Sequence, residues 1–104
     1  MVHERRIRFR FGVAEARKQL ATSYRWLDHV LAHRSWAAGE QFSMADCAAA
    51  PALFYADWAE PIAPQFAHLR AYRARLLQRP AVARAVDEAR PYRPLFPLGA
   101  PDRD

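Results

Sequence analysis

The spacing of apolar residues changes character along the chain, and each change predicts an element. In residues 1–12, MVHERRIRFRFG, the run IRFRF alternates apolar and basic side chains and Gly12 closes it. Period two is a strand signal, but a lone strand has nothing to pair with, so an extended or frayed arm is expected here. From Val13 the period lengthens. Val13, Ala16, Leu20, Tyr24, Leu27, Val30 and Leu31 follow the three-and-four spacing of an amphipathic helix, predicted over 13–33. Glu15 near its start and His33 and Arg34 near its end suit the helix dipole. RSWAAGEQ then reads as a short connection in which Trp36 packs back and Gly39 turns. A second helix is predicted from Ser43 to about Trp58, with a bend at Pro51, and a third from about 65 to 79. Phe66, Leu69, Tyr72, Leu76 and Leu77 form the inner side of the third. Arg79-Pro80 interrupts the pattern, because proline disfavours the helical conformation in the residue before it. A short fourth helix, about 81–90, carries Val82, Ala85, Val86 and Ala89 on one side. The tail PYRPLFPLGAPDRD holds four prolines and is expected to be extended, with Tyr92, Leu95, Phe96 and Leu98 covering a groove.

The segment FSMADCAAAP, residues 42–51, explains how the second helix starts. With Ser43 as N-cap, its hydroxyl can accept from the Asp46 N–H, and the Asp46 carboxylate can accept from the Ser43 N–H. This is a capping box in its aspartate form, and losing such a cap costs about 1 kcal/mol, occasionally 2. Phe42 precedes the cap and Cys47 takes the fourth helical position, the two places of a hydrophobic staple. That reading makes Cys47 a small buried side chain. Ala48 to Ala50 thin the helix so that another backbone can approach.

Composition supports an all-α protein: only three glycines and few β-branched residues, with alanine, leucine and arginine prominent. The formal net charge of +5 suggests nucleic acid at first sight. Four arginines against Glu4 place +3 of it in residues 1–12, leaving +2 for the remainder, so no nucleic-acid partner is expected. Cys47 is the only cysteine, which excludes an internal disulfide and a C-x-x-C pair. No apolar run approaches the roughly 20 residues of a membrane span, and nothing reads as a secretory signal. A cytoplasmic protein without membrane association is expected.

The combination of W36-AAGEQ-F-SMAD-CAAAP with LRAYRARLLQRPAVARAVDEARPY, Leu69 to Tyr92, resembles the C-terminal helical domain of the bacterial glutathione S-transferases. In that family a Ser/Thr-x-x-Asp box enters a buried central helix, and an arginine-proline pair separates two later helices. The resemblance covers residues 13–100, after the basic arm of 1–12 and before a tail at 101–104. It implies a bundle of about four helices around the capped central helix. It also implies a role in conjugating glutathione, the family co-substrate, to electrophiles. The helical domain there supplies the wall for the hydrophobic co-substrate and the domain and dimer interfaces. On this chain the wall would be Phe54, Tyr55, Trp58 and Phe96, and the domain interface Ala48 and Ala49. The family's thioredoxin-like domain, which binds and activates glutathione, has no counterpart in these residues, nor has the first helix of its helical domain. A truncated or stand-alone helical domain is therefore expected, inactive alone, with no catalytic residue and no cofactor of its own. Its partners would be a thioredoxin-like domain or a second copy.

Two other readings remain beside it. A helical module of this type can serve protein–protein interaction without chemistry, through apolar surface left open. His29 and His33 stand four apart on the first helix, a zinc-compatible spacing, but without a third ligand or an H-E-x-x-H motif they are read as solvated and no metal is expected. Asp57, Glu60, Asp87 and Glu88 are read as surface charge.

Overall fold

A computed structural model describes residues 2–97 and 99–104, the side chains of 2–7, 9 and 11 aside. Four α-helices follow in order: α1 Val2–Leu31, α2 Met44–Ala59, α3 Ala67–Gln78 and α4 Pro80–Ala89, then a 3-10 helix over Arg90–Leu95. No strand occurs among the described residues; the nearest approach is an isolated bridge between Trp36 and Gly39. The fold is all-α.

Helix α1 corrects the expectation for the arm. The backbone is helical from Val2 and passes through Gly12 without a break. Arginine and glutamate are good helix formers, and five alternating residues with no partner strand cannot hold an extended form against them. One interior glycine costs only about 1 kcal/mol. At the other end, α1 stops at Leu31 and the chain turns tightly. Trp36 and Gly39 exchange main-chain hydrogen bonds of 2.9 and 3.1 Å. Gly39 takes φ +147°, a conformation that side chains disfavour. Trp36 thereby folds back on the core.

Helix α3 packs against α1, α2 and α4, and α4 packs against the 3-10 helix. Its Leu69, Tyr72 and Leu76 are almost fully buried, and with Tyr24 and Leu31 of α1, Ala50 and Leu53 of α2, and Ile62 and Phe66 they form the core. Helix α2 continues through Pro51, burying Asp46, Ala50, Leu53, Phe54, Asp57 and Trp58. These positions repeat at three- and four-residue steps and so share one side. Its other side, with Met44, Ala45, Ala48, Pro51, Ala52 and Tyr55, is exposed although almost wholly apolar. Helix α3 ends where sequence suggests: Arg79 leaves the helical conformation, with ψ 128°, and Pro80 opens α4 as its first residue.

The tail is a second correction. Residues 90–95 wind into a 3-10 helix instead of lying extended. Prolines at 91 and 94 lack N–H groups, but both accept the φ that a short tight helix requires. Tyr92 and Leu95 are largely exposed, at 66% and 76%, but with Phe96, which stacks on α2, they border the groove expected for them. Leu98 lies outside the described residues.

Candidate functional site

The segment that begins α2 is built around Asp46, which has no exposed surface. Its Oδ2 accepts from the Ser43 N–H at 2.9 Å and, more loosely, from the Ser43 hydroxyl at 3.4 Å. The Asp46 N–H turns to the Ser43 carbonyl at 3.0 Å. Oδ1 faces away from the cap and accepts from the Ala37 N–H at 2.8 Å and the Tyr72 hydroxyl at 2.5 Å. One carboxylate thus ties the turn after α1, the start of α2 and the middle of α3. Burial alone would raise its pKa. The hydrogen bonds from Tyr72, Ala37 and Ser43 outweigh that and hold it below the usual carboxylate range. Tyr72, buried and donating to this anion, is pushed well above the ordinary phenol value.

Cys47 does not tuck beneath Phe42: its side chain is exposed. Phe42 packs edge-on to Trp36, ring centres 5.3 Å apart, and lies under the Arg79 guanidinium at 4.0 Å. The aromatic and cationic partners from the turn and the α3–α4 junction offer Phe42 more contact than a thiol could. Cys47 and Phe42 both border an apolar groove of about 570 Å³ between α2 and α4. Ala48 is exposed, while Ala49 is half-buried toward α1, so the two alanines lie on different sides of the helix.

Phe54, Tyr55, Trp58 and Phe96 come together. Phe54 and Trp58 are buried, Tyr55 is 42% exposed, and Phe96 folds over them from the tail. Tyr55 and Phe96 are nearly parallel, with centres 5.9 Å apart and 22° between planes. Trp58 meets both edge-on, at 5.4 and 5.3 Å. With Val86 and Ala89 of α4 and Arg93 of the 3-10 helix, all four line one open cavity of about 320 Å³. The lining is apolar and Arg93 is its only charged member.

The ionic cluster beside this cavity was missed in the sequence, where Asp57 was read as surface charge. Asp57 is 6% exposed, not a surface charge. Its Oδ1 accepts from the Ile62 N–H at 2.8 Å, stabilising the loop after α2. Its Oδ2 meets Arg103 at 2.6 Å and the Arg73 Nε at 3.3 Å. Burial lowers the pKa of Arg73, and Asp57 opposes that fall. Asp104 binds Arg90 through both carboxylate oxygens, at 2.8 and 2.7 Å, and also pairs with Arg93. Hydrogen bonds from Arg90 and Arg93 lower its pKa to about 2. The one local hint was that Asp57 falls at the end of α2 on its buried side, four residues after Leu53.

His29, in the last turn of α1, and His33, past its end, are both exposed. No group of three metal-ligating side chains forms among the described residues. Among the described residues no helix is long and apolar enough to cross a membrane.

A four-helix all-α domain with a buried aspartate at the start of α2 defines the class of protein. The family model described as "Glutathione S-transferase, C-terminal domain" matches residues 12–80, well over half the chain. The chain belongs to that family. The match begins at Gly12 within α1 and ends at Pro80, where α4 begins. Comparison with curated proteins and with solved structures gave no match.

Proposed function

We propose that this chain acts as the co-substrate half of a glutathione-conjugating unit. In this reading Phe54, Tyr55, Trp58 and Phe96 form the wall that receives the apolar electrophile. The convergence of these four side chains on one cavity carries the proposal. Apolar cavities with a single placed polar group are the usual form of small-molecule sites. Glutathione itself is not assigned a place on these residues. A tripeptide with two carboxylates and an amine needs several charged partners, and the cavity offers only Arg93. The thiolate must also be activated by a positioned group, which the cavity does not provide. A thioredoxin-like domain would supply both, docking against the open side of α2 around Ala48. Purified alone, the 104-residue chain should not conjugate glutathione to an activated aryl halide. Turnover that scales with protein and survives repurification would overturn this division of labour.

The exposed apolar side of α2 favours a second reading, a helical module that docks on another protein without chemistry. Binding of apolar aryl probes in the cavity separates the two, since a pure docking module has no reason to hold them.

A further inference from the structure

We propose that the aromatic cavity belongs to a carboxylate-binding site whose ligand is a flat aromatic acid, and that Asp104 occupies the carboxylate position in cis. The proposal rests on the reading of this cavity as an apolar ligand wall and adds the charge that the ligand must carry.

The first observation is the charge balance of the ionic cluster beside the cavity, of which Arg93 lines the cavity itself. Arg73 and Arg103 share Asp57, and Arg90 has Asp87 at 2.9 Å. Among the described residues the remaining cation, Arg93, has Asp104 as its only acidic partner. When the Asp104 carboxylate leaves, Arg93 faces the cavity without a counter-ion, and Arg90 stands beside it with donors to spare. Together they present one position for one carboxylate, in the planar fork geometry that arginine matches best.

The second observation is the shape behind that position. The Arg93 guanidinium lies 5.1 Å over the Trp58 ring, so charge and aromatic wall are contiguous. Tyr55 and Phe96 are near parallel and Trp58 stands across them, which offers both a stacking face and an edge to a flat ring. The Trp58 indole N–H and Arg73 Nη2 donate to the Asp104 main-chain oxygen, at 3.3 and 2.6 Å, so the backbone of the tail stays anchored when its side-chain carboxylate gives way.

The third observation is how Asp104 gets there. The chain runs on from Phe96 and turns at Gly99, which has φ +81°. Arg103 on Asp57 anchors the returning segment at 2.6 Å. A tethered carboxylate competes with a free one at high effective concentration. The Asp104 carboxylate is therefore a tethered competitor for the arginines at the edge of the cavity, one that an aromatic acid displaces and a neutral arene need not.

The test is calorimetric titration of the full 104-residue chain and of D104N, R93K and R93Q with 2-naphthoate and with its neutral counterpart 2-naphthylmethanol. The acid should bind D104N about tenfold more tightly than the parent chain, and D104N should prefer acid to alcohol by about tenfold. R93Q should erase that preference while still binding the alcohol, and R93K should retain part of it. Circular dichroism checks that each variant is folded; should R93Q fail, the acid-to-alcohol ratio in D104N decides alone. Equal affinity of D104N for acid and alcohol would overturn the carboxylate site and leave the apolar wall standing. Failure of both probes to bind either chain would overturn both.

Discussion

Asp46 shows how one residue can exceed the role its local motif assigns. The capping box accounts for one oxygen of its carboxylate; the other holds the Ala37 N–H and the Tyr72 hydroxyl. Removing the side chain strands buried donors from three segments, and each such donor costs about 1–3 kcal/mol when left unpaired. Asp46→Ala should therefore lose about 3–4 kcal/mol, beyond the 1–2 of a cap alone, and Tyr72→Phe about 1.5–3 as a lost bond to a charged group. Urea denaturation midpoints measure both; a loss for Asp46→Ala no larger than that of an ordinary cap would show that the Tyr72 and Ala37 bonds contribute nothing. The pH dependence has a definite sign. Asp46 has a depressed folded-state pKa, so its stabilisation is complete above the unfolded value near 3.9 and is lost as pH falls through the folded one. Tyr24 runs the opposite way. Burial, then Asp57 and Glu60, raise it to about 12, so its stabilisation holds below about pH 10 and fades as pH rises toward 12. Stability of the parent chain should thus fall at both extremes, and Tyr72→Phe should flatten part of the acid limb.

At the scale of elements, the helix ends are closed by residues from elsewhere. Helix α3 has Phe66 at its N-cap, whose side chain has no acceptor to offer the free N–H groups. Asp28 of α1 does so instead, its Oδ1 receiving the Leu69 N–H at 2.9 Å. The C-cap of α2 is met by Tyr24, whose hydroxyl donates to the Glu60 carbonyl at 2.8 Å. Asp28→Ala should destabilise the chain by about 1 kcal/mol, with lost hydrogen-exchange protection concentrated at the Leu69 amide. Unchanged exchange at Leu69 would rule the cap out. These contacts also mark the limit of what the sequence discloses. The four helices, the break at Arg79-Pro80 and the apolar side of α3 were legible, because each follows from local periodicity or proline chemistry. The aromatic set Phe54, Tyr55, Trp58 and Phe96 was singled out by likeness to the family rather than by spacing, and the structure gathers the four side chains at one cavity. Asp28 and Asp57 were not legible, because a donor 41 residues away leaves no trace in spacing and a buried aspartate looks like a surface one. The helical residues 2–12 were misread because IRFRF satisfies a strand pattern that nothing in the chain can pair with. The exposed Cys47 was misread because a staple position implies burial only when its partner has no better neighbour.

On the scale of the whole molecule, the chain is longer and looser than its length requires. Its radius of gyration is 15.5 Å and its extents 52 × 33 × 23 Å, whereas a compact domain of about 100 residues has a radius near 13 Å. The difference comes from α1, whose 30 residues make a rod of about 45 Å, and from the absence of cover on one side of α2. That side presents Met44 at 83% exposure, with the exposed Ala45 and Ala48 beside it. A helix apolar all round ordinarily lies buried, so an uncovered side of this composition is a docking surface or an aggregation hazard. Ala48 is at its centre and has no buried contact to lose. Ala48→Glu should therefore leave the unfolding free energy from urea denaturation within about 0.5 kcal/mol, yet sharply reduce binding of a hydrophobic dye. It should also shift light scattering of the concentrated chain toward the monomer. The pairing of the two readouts is what decides. Reduced dye binding with unchanged stability locates the docking surface on α2, whereas a parent chain that is monomeric and binds no dye would remove the need for any partner on this side of the helix.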